Sequence, residues 1–349
     1  MSDMPLVSTI IPCRNEEKFI GMCLKSLLAN DYPKDRLEVL VVDGMSEDGT
    51  RNVVTEYAKR WPVIKLLDNP KRITPAALNI GIRQARGDVL IRMDAHARVD
   101  CGYIRRCVGT LLVSGADNVG GIMKTVPKQQ RLVGRAIALC LSHRFGVGNS
   151  YFRVHAMKPK WVDTVFGGCY RREIFKRIGF FNERLERGQD MEFNLRLKAA
   201  GGKTLLVPDI VIYYYCHSEY PAFCRHTFRS GVWAILPFVY SDIVPVACRH
   251  LVPLTFVIGL LTSVALSFIS PLGLWLLAAI GGSYGALSLL ASAHIAWRKR
   301  EVRYLFAIPF IFVSLHVAYG LGSLWGLVKT AGHFLGAGLV RSQQLGKVC

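Results

Sequence analysis

The chain has 349 residues, of which 51% are hydrophobic, and its formal net charge is +19. This length allows a full globular domain plus an appendage, and the apolar content is high for a wholly soluble protein. The positive charge is consistent with contact with anionic lipid headgroups and diphosphates, or with an ordinary solvated surface. A nucleic-acid partner is not expected, because the basic residues are scattered and no nucleic-acid-binding motif is present.

Strand and helix signals alternate over the first third of the chain. Short apolar runs predict strands over Val7–Ile11, Leu37–Val42, Val63–Leu67 and Val89–Met93. Apolar residues at helical spacing predict helices over Glu16–Asn30, 50–60 and 74–85. This alternation with short loops predicts an α/β fold with a mostly parallel, doubly wound sheet.

The pattern over residues 100–220 is more mixed. Helices are predicted over Cys101–Ser114, Gln129–Arg144, Tyr170–Ile178 and Met191–Ala200. Strands are predicted over Val119–Val126, Lys203–Val207 and Ile210–Tyr215. This part is therefore expected to extend the same α/β domain.

Three long apolar stretches follow, over Leu251–Ile269, Leu272–Ala296 and Tyr304–Leu327. Each is long enough to cross a hydrocarbon core about 30 Å thick. The basic segment Arg298–Arg303 is predicted to face the cytoplasm, whereas the side on which the tail lies stays open. The expected organisation is a cytoplasmic globular domain over 1–230, an interfacial segment over 231–250 that includes a helix over Gly231–Val246, transmembrane helices over 251–330 and a tail over 331–349.

The cysteines and the beginning of the chain indicate a reducing compartment. The ten cysteines include no C-x-x-C pair, and most stand in apolar runs, so buried thiols are expected in place of a disulfide framework or a zinc site. An apolar run starts at Val7, so no signal peptide is expected and the globular part is predicted to be cytoplasmic.

Acidic side chains stand at the ends of apolar segments. Asp43 follows the second predicted strand, and Asp94 follows the fourth, with His96 two positions later. Ligands bind at the carboxyl ends of the strands in open α/β sheets. A carboxylate with a neighbouring nitrogen or oxygen donor can hold a divalent cation against a diphosphate, but an ordinary polar strand end has the same appearance.

As a set, these motifs resemble the family 2 glycosyltransferases, which are inverting enzymes with the GT-A fold. The resemblance covers about residues 6–233 and rests on the segments Ile10–Glu17, Val41–Thr50, Ala77–Asn79, Gly87–Asp94, Gly167–Arg172 and Gly188–Glu192. Within the family the chain is most similar to the ExoA-like branch of succinoglycan biosynthesis, on the segments Asp94–Ala97, Arg144–Asn149, Val162–Phe166 and Arg225–Gly231.

The resemblance implies a nucleotide-sugar site and a divalent metal. Asp43 matches the family's contact to the base and ribose of the nucleotide. Asp94 and His96 occupy the family's D-x-D positions, which implies Mn²⁺ or Mg²⁺, with His96 either as a metal ligand in place of the usual second Asp or as a cation facing the diphosphate. The other residues expected on the nucleotide-sugar side are Pro12, Arg14, Glu16, Asp88 and Arg229.

Asp190 matches the catalytic base of the family. Gln189 replaces the Glu that often precedes this residue, and Glu192 is a second candidate at the same helix start. Acidic residues favoured by a helix N-terminus would give the same pattern, so the sequence does not separate the two explanations. The residues expected on the acceptor side are Gly167, Gly168, Gln189, Glu192 and Arg225.

The function implied by the resemblance is transfer of a hexose, glucose from UDP-glucose with a β-1,3 linkage, to a polyprenyl-diphosphate-linked saccharide during bacterial exopolysaccharide assembly at the inner membrane. Ser230 replaces the Trp of the Q-x-x-R-W element found in processive relatives, which favours addition of a single sugar. The basic residues between Arg131 and Lys160 either hold the lipid-linked acceptor or form a solvated face. The alternatives are another nucleotide sugar, a polyprenyl phosphate acceptor or, in a different class, an inactive membrane scaffold that retains a nucleotide pocket.

Overall fold

The computed structural model describes residues 4–154, 156–241 and 247–345, with side chains up to residue 333. The chain divides into two compact units, Met1–Val126 with Ser150–Tyr215 and Pro127–Asn149 with Cys216–Cys349. Residues 127–149 and 216–230 were expected in the globular domain, but they group with the apolar C-terminal helices. The reason is that the helices formed by these two segments pack against the long last helix of the chain.

The first unit begins with four parallel strands, β1 (Val7–Cys13), β2 (Leu37–Asp43), β3 (Ile64–Asp68) and β4 (Val89–Arg92). Their order in the sheet is β3-β2-β1-β4, so the chain crosses back over β1 before it enters β4. These strands are the four predicted from apolar runs. β2 is buried along its whole length, as is typical of a strand covered on both faces.

Helices cover both faces of this sheet, as the doubly wound prediction requires. Alternate residues of β2 enter different cores: Val39 and Val41 join one, and Leu40 and Val42 join the other. The first core is closed by α1 (Glu17–Leu28), α2 (Thr50–Arg60) and α4 (Tyr103–Val113). The second core is closed by α3 (Thr74–Gln84), α8 (Glu173–Ile178) and α9 (Gln189–Ala199).

The rest of the sheet contains antiparallel pairs, so the sheet as a whole is mixed. This part consists of β5 (Ala97–Val99), β6 (Asn118–Pro127), β7 (Lys160–Trp161), β8 (Phe166–Arg171) and β9 (Thr204–Cys216). β8 runs antiparallel to β4 and to β6, and β5 and β7 run antiparallel to β9. The order continues from β4 through β8, β6 and β9 to β5, and β7 pairs with β9.

Two predictions for this region were wrong. The helix predicted over Tyr170–Ile178 begins only at Glu173, because Tyr170 and Arg171 form the end of β8, where both pair with β4 and Tyr170 also pairs with β6. The two strands predicted around Pro208 form one strand, β9. Its partners β7 and β5 pair on either side of Pro208, so neither ladder needs the missing proline N–H.

The second unit is helical. It contains α5 (Leu132–Cys140), α6 (Arg144–Val147), α10 (Tyr220–Ile235), α11 (Pro237–Tyr240), α12 (Cys248–Ser267), α13 (Pro271–Lys299) and α14 (Tyr304–Leu345), while the short α7 (Tyr151–Val154) belongs to the first unit. The helix predicted over Gln129–Arg144 is shorter and is followed by α6. The predicted helix over Gly231–Val246 corresponds to the end of α10 and to α11, and residues 242–246 lie outside the described part.

Three helices of this unit could cross a membrane by length and composition. They are Cys248–Ser267, Pro271–Lys299 and Tyr304–His333. The turn between the first two is defined by Ser270, whose hydroxyl accepts a hydrogen bond from the Leu272 backbone N–H at 3.3 Å and caps α13. α13 ends where Arg300 adopts a left-handed conformation with φ of 52°.

Candidate active site

Asp43 lies at the carboxyl end of β2, where it pairs in register with the last residues of β1 and β3. Its buried carboxylate accepts hydrogen bonds from the Ser46 backbone N–H at 2.9 Å and from Arg51 Nη1 at 2.8 Å. Arg51 Nη1 also lies 2.8 Å from Asp68 Oδ1, and these hydrogen bonds raise the pKa of Arg51. Asp43 is therefore held in a fixed orientation at the ligand-binding edge of the sheet.

The loop after β1 is tied to the loop after β2. The Asn15 backbone N–H donates to Ser46 Oγ at 2.9 Å, and Asn15 Oδ1 accepts from the Glu47 backbone N–H at 2.9 Å. Asn15 adopts φ of 54°, a left-handed conformation that asparagine tolerates better than most residues. Pro12 is half-buried near the end of β1, and Arg14 is exposed on the loop that follows.

Glu16 and His96 form a partly buried pair. His96 Nδ1 lies 2.8 Å from Glu16 Oε1, with the two side chains 22% and 16% exposed. A carboxylate oxygen can only accept, so Nδ1 carries the proton and Nε2 is left for a ligand. The Tyr214 ring and the imidazole form a T-shaped contact, with ring centroids 4.9 Å apart.

Arg92 joins the two carboxylates that the sequence singled out for chemistry. Its Nη2 lies 2.8 Å from Asp94 Oδ1, and its Nη1 lies 3.2 Å from Asp190 Oδ2. Burial alone would lower the pKa of Arg92, but Asp190 and Asp94 outweigh that effect and raise it. The guanidinium therefore stays charged and holds the end of β4 against the start of α9.

Asp190 is the second residue of α9, and Gly188 precedes the helix with φ of 78°. Its Oδ1 is buried and has no hydrogen-bond partner among the residues that the structure describes. Burial raises the pKa of Asp190, Arg92 opposes this shift and Asp94 reinforces it. A carboxylate with a raised pKa and an unpartnered oxygen is suited to accept a proton.

Glu192, the second candidate base, is engaged elsewhere. Its two oxygens accept from Arg196 Nε at 2.6 Å and Nη2 at 3.0 Å, and the Glu192 side chain is 3% exposed. Arg196 in turn donates to the Phe180 carbonyl at 2.7 Å. Glu192 therefore helps to hold α9 against the preceding loop through Arg196. Gln189 is buried at the start of the helix.

Gly167 and Gly168 lie in β8, with φ of 82° and 33°. A Cβ atom on Gly167 would lie 2.9 Å from the Ile212 side chain and 3.3 Å from the Arg92 carbonyl oxygen. The missing side chain thus allows β8 to pass close to the end of β4 that carries Arg92 and Asp94.

Asp88 does not lie at the strand end that carries this cluster. Asp88 is exposed and precedes β4, so it lies at the opposite end of that strand from Asp94. Its backbone carbonyl accepts from the Arg172 N–H at 2.9 Å. Arg225 and Arg229 lie on α10 in the second unit, and both are exposed.

Arg92 and Arg51 are site residues that the sequence reasoning missed. Arg92 stands in an apolar strand two residues before Asp94, and side chains at this spacing point to the same face of a strand. The charge of Arg92 on the same face as Asp94 therefore indicated, from the sequence alone, that the two side chains could interact. The Glu16–His96 pair has no such signal, because the two residues are distant in sequence.

The donors at this edge fit a divalent cation. Asp94 offers a carboxylate, and His96 offers Nε2 with its Nδ1 fixed by Glu16, an arrangement that orients metal-binding histidines. Across the part of the chain with described side chains, no group of three or more His, Cys, Asp or Glu side chains could hold a metal ion. The protein thus provides two donors here, and oxygens of a bound diphosphate would have to complete the coordination.

Comparison with known proteins identifies the chain. Residues 8–179 match the model of Glycosyl transferase family 2. The succinoglycan biosynthesis protein ExoA of Rhizobium meliloti (strain 1021) is 30% identical, over 85% of this chain and 95% of ExoA. The chain belongs to glycosyl transferase family 2. It is therefore a glycosyltransferase, as the motifs predicted.

Two further comparisons describe this family 2 glycosyltransferase. A Methanococcus voltae enzyme is 29% identical over 93% of this chain and 98% of its own length, and is named dolichyl N-acetyl-alpha-D-glucosaminyl phosphate 3-beta-D-2,3-diacetamido-2,3-dideoxy-beta-D-glucuronosyltransferase. The mannosyltransferase PcManGT of Pyrobaculum calidifontis, solved with GDP-Man and Mn²⁺, matches with a TM-score of 0.59 and 21% identity, over 93% of this chain and 88% of that chain. The structural match confirms the GT-A fold.

Proposed function

We propose that this glycosyltransferase inverts the anomeric centre and transfers one hexose from a UDP-sugar to a lipid-linked saccharide. The observation that supports this most is the buried, unpartnered Oδ1 of Asp190, on a carboxylate joined through Arg92 to Asp94. One carboxylate beside the acceptor hydroxyl is what an inverting transfer needs. The engagement of Glu192 by Arg196 favours Asp190 as that base.

The reaction proceeds by direct displacement. The oxygen of the acceptor hydroxyl forms a bond to the anomeric carbon, and the bond from this carbon to the diphosphate oxygen breaks. The electron pair of the broken bond leaves with UDP, and the hydroxyl proton passes to Asp190. No sugar–enzyme bond forms.

The donor nucleotide is assigned to the edge formed by β1, β2 and β4. Asp43 accepts a hydrogen bond from the base or ribose, and Pro12, Arg14 and Glu16 line the nucleotide side. Asp94 and His96 would hold a divalent cation, Mn²⁺ or Mg²⁺, and this cation would supply positive charge to the diphosphate. With its Nδ1 hydrogen-bonded to Glu16, His96 would present Nε2 to that cation.

The acceptor is assigned to the membrane surface. Three helices could cross a membrane, and the basic segment between α13 and α14 favours a multi-pass protein of the bacterial inner membrane with that loop and the first unit in the cytoplasm. Arg225 and Arg229 on α10 are proposed to contact diphosphate groups of the substrates, a task for which the guanidinium fork is suited.

We further propose glucose as the sugar and β-1,3 as the linkage. The support is the similarity to ExoA, whose name refers to succinoglycan, and the name of the archaeal relative, which specifies a 3-beta transfer. Because the name of that relative also refers to a dolichyl phosphate-linked sugar, a polyprenyl phosphate-linked acceptor with another donor sugar is the second candidate.

A donor screen tests the proposal. The full chain in membranes that carry lipid-linked saccharides is given a panel of UDP-sugars with Mn²⁺ or Mg²⁺, and both UDP release and the lipid product are measured. We expect UDP-glucose to give a product lengthened by one hexose. The same assay is carried out with Asp190→Asn, which removes the proposed base. Asp35→Asn is its matched control, because Asp35 lies on the surface and is 81% exposed. Tight UDP binding without turnover of any donor would favour the inactive scaffold.

A further inference from the structure

Arg92 lies enclosed between two carboxylates from different elements. Its side chain is 10% exposed, and the ring of Phe166 packs beside it with Cζ 5.8 Å from the ring centroid. Its Nε is buried without a hydrogen-bond partner among the described residues. Burying an unpartnered N–H is costly, so the position of the guanidinium is set by its two ion pairs and not by a complete set of hydrogen bonds.

The two ion pairs connect the residue that follows β4 with the first turn of α9 within the first unit. Asp94 follows β4, whereas Asp190 stands in the first turn of α9, after the left-handed Gly188. The fork of Arg92 reaches one carboxylate with each Nη atom. A lysine has a single ammonium group and cannot reproduce this geometry.

We propose that Arg92 is a positioning residue that fixes Asp190 relative to Asp94 and that competes with the divalent cation for Asp94. This rests on the proposed roles of Asp190 as base and Asp94 as metal ligand. With Arg92 in place, one positive charge offsets part of the negative charge of the two carboxylates and holds them at a fixed separation. Without it, they repel each other, Asp190 loses its fixed position and the site becomes a stronger attractor of cations.

The test compares three variants of the full chain. Arg92→Met removes the charge at similar length, and Arg92→Lys keeps the charge without the fork. Arg98→Met is the matched control, because Arg98 is exposed on β5 and lies over the ring of Tyr213. Four quantities are measured: kcat for transfer, KM for the donor, the affinity for Mn²⁺ alone by calorimetry, and the melting temperature.

The expected pattern separates kcat from KM. For Arg92→Met we expect kcat to fall roughly 100-fold with KM for the donor nearly unchanged, because displacement of a catalytic group by about 1 Å has effects of this size. We expect the same variant to bind Mn²⁺ roughly tenfold more tightly, since a neighbouring positive charge has been removed. Arg92→Lys is expected to bind Mn²⁺ like the wild type but to lose about tenfold in kcat. Arg98→Met is expected to match the wild type.

Two results would overturn the inference: wild-type kcat in Arg92→Lys, or unchanged or weaker Mn²⁺ binding in Arg92→Met. If Arg92→Met does not fold, the kcat of Arg92→Lys alone tests the positioning role of Arg92. Failure of the proposed function can be distinguished from failure of this inference. A wild-type protein that transfers no sugar would refute the proposed function, whereas the Mn²⁺ affinities of the variants would still test the competition between Arg92 and the cation.

Discussion

Glu38 gives a prediction whose size follows from its contacts. It lies near the amino end of β2 and is 1% exposed, and its carboxylate accepts hydrogen bonds from Ser8 Oγ at 2.7 Å, from Lys65 Nζ at 3.0 Å and from the backbone N–H and Nε of Arg86, both at 3.0 Å. Burial alone would raise the pKa of Glu38, but these hydrogen bonds outweigh it and lower the pKa from 4.5 to about 2.

This shift corresponds to about 3 kcal/mol of folding free energy at neutral pH. Because the pKa is depressed in the folded state, the stabilisation is complete above about pH 4.5 and is lost as the pH falls towards 2. We therefore expect Glu38→Gln to lower the melting temperature of the full chain in detergent by roughly 6–12 °C at pH 7, which is the usual response of a domain of this size.

The assay compares melting temperatures of wild type, Glu38→Gln and the control Glu56→Gln between pH 7 and pH 3. Glu56 is exposed and pairs with Lys59 on the surface, so its variant should melt like the wild type. The difference between wild type and Glu38→Gln should shrink as the pH falls. A difference that is absent at pH 7, or that stays constant down to pH 3, would refute the reasoning.

Two further predictions concern the metal site and the sheet. His96→Asp is expected to keep activity and to shift the metal preference from Mn²⁺ towards Mg²⁺, measured by initial rates with each ion, and a variant inactive with every metal would contradict a ligand role. Gly121→Ala is expected to destabilise the chain by at least about 3 kcal/mol, because the new Cβ would collide with the Ile210 backbone carbonyl. The control Gly109→Ala has open space around the new Cβ and should be neutral or stabilising. Equal melting temperatures of the two variants would contradict this prediction.

Much of the fold could be predicted because the parallel strands leave a strong local pattern. β1, β2 and β4 are short apolar runs buried on both faces, and each is bounded by turn residues or by an acid. The bounds of β8 and β9 were predicted less accurately, because pairing with strands distant in sequence determines where these two strands begin and end. The three-residue β5 is too short for its periodicity to stand out.

The placement of Asp43, Asp94 and Asp190 at strand or helix ends could be predicted from the sequence, because an apolar run or a helix start marks each of them. The pairing of side chains could not be predicted in the same way. Arg92 was counted as part of an apolar run although its spacing to Asp94 placed both on one face. Arg196 follows Glu192 by one helical turn, so the engagement of Glu192 could have been anticipated from the sequence.

The most direct test of the account is calorimetry and turnover with Asp190→Asn. The account predicts that transfer falls by roughly 10²–10⁴-fold, as for the loss of a general base, while the affinity for the UDP-sugar stays within about twofold of the wild type. Loss of nucleotide-sugar affinity in this variant, or retention of full transfer, would contradict the assignment of Asp190 as the base.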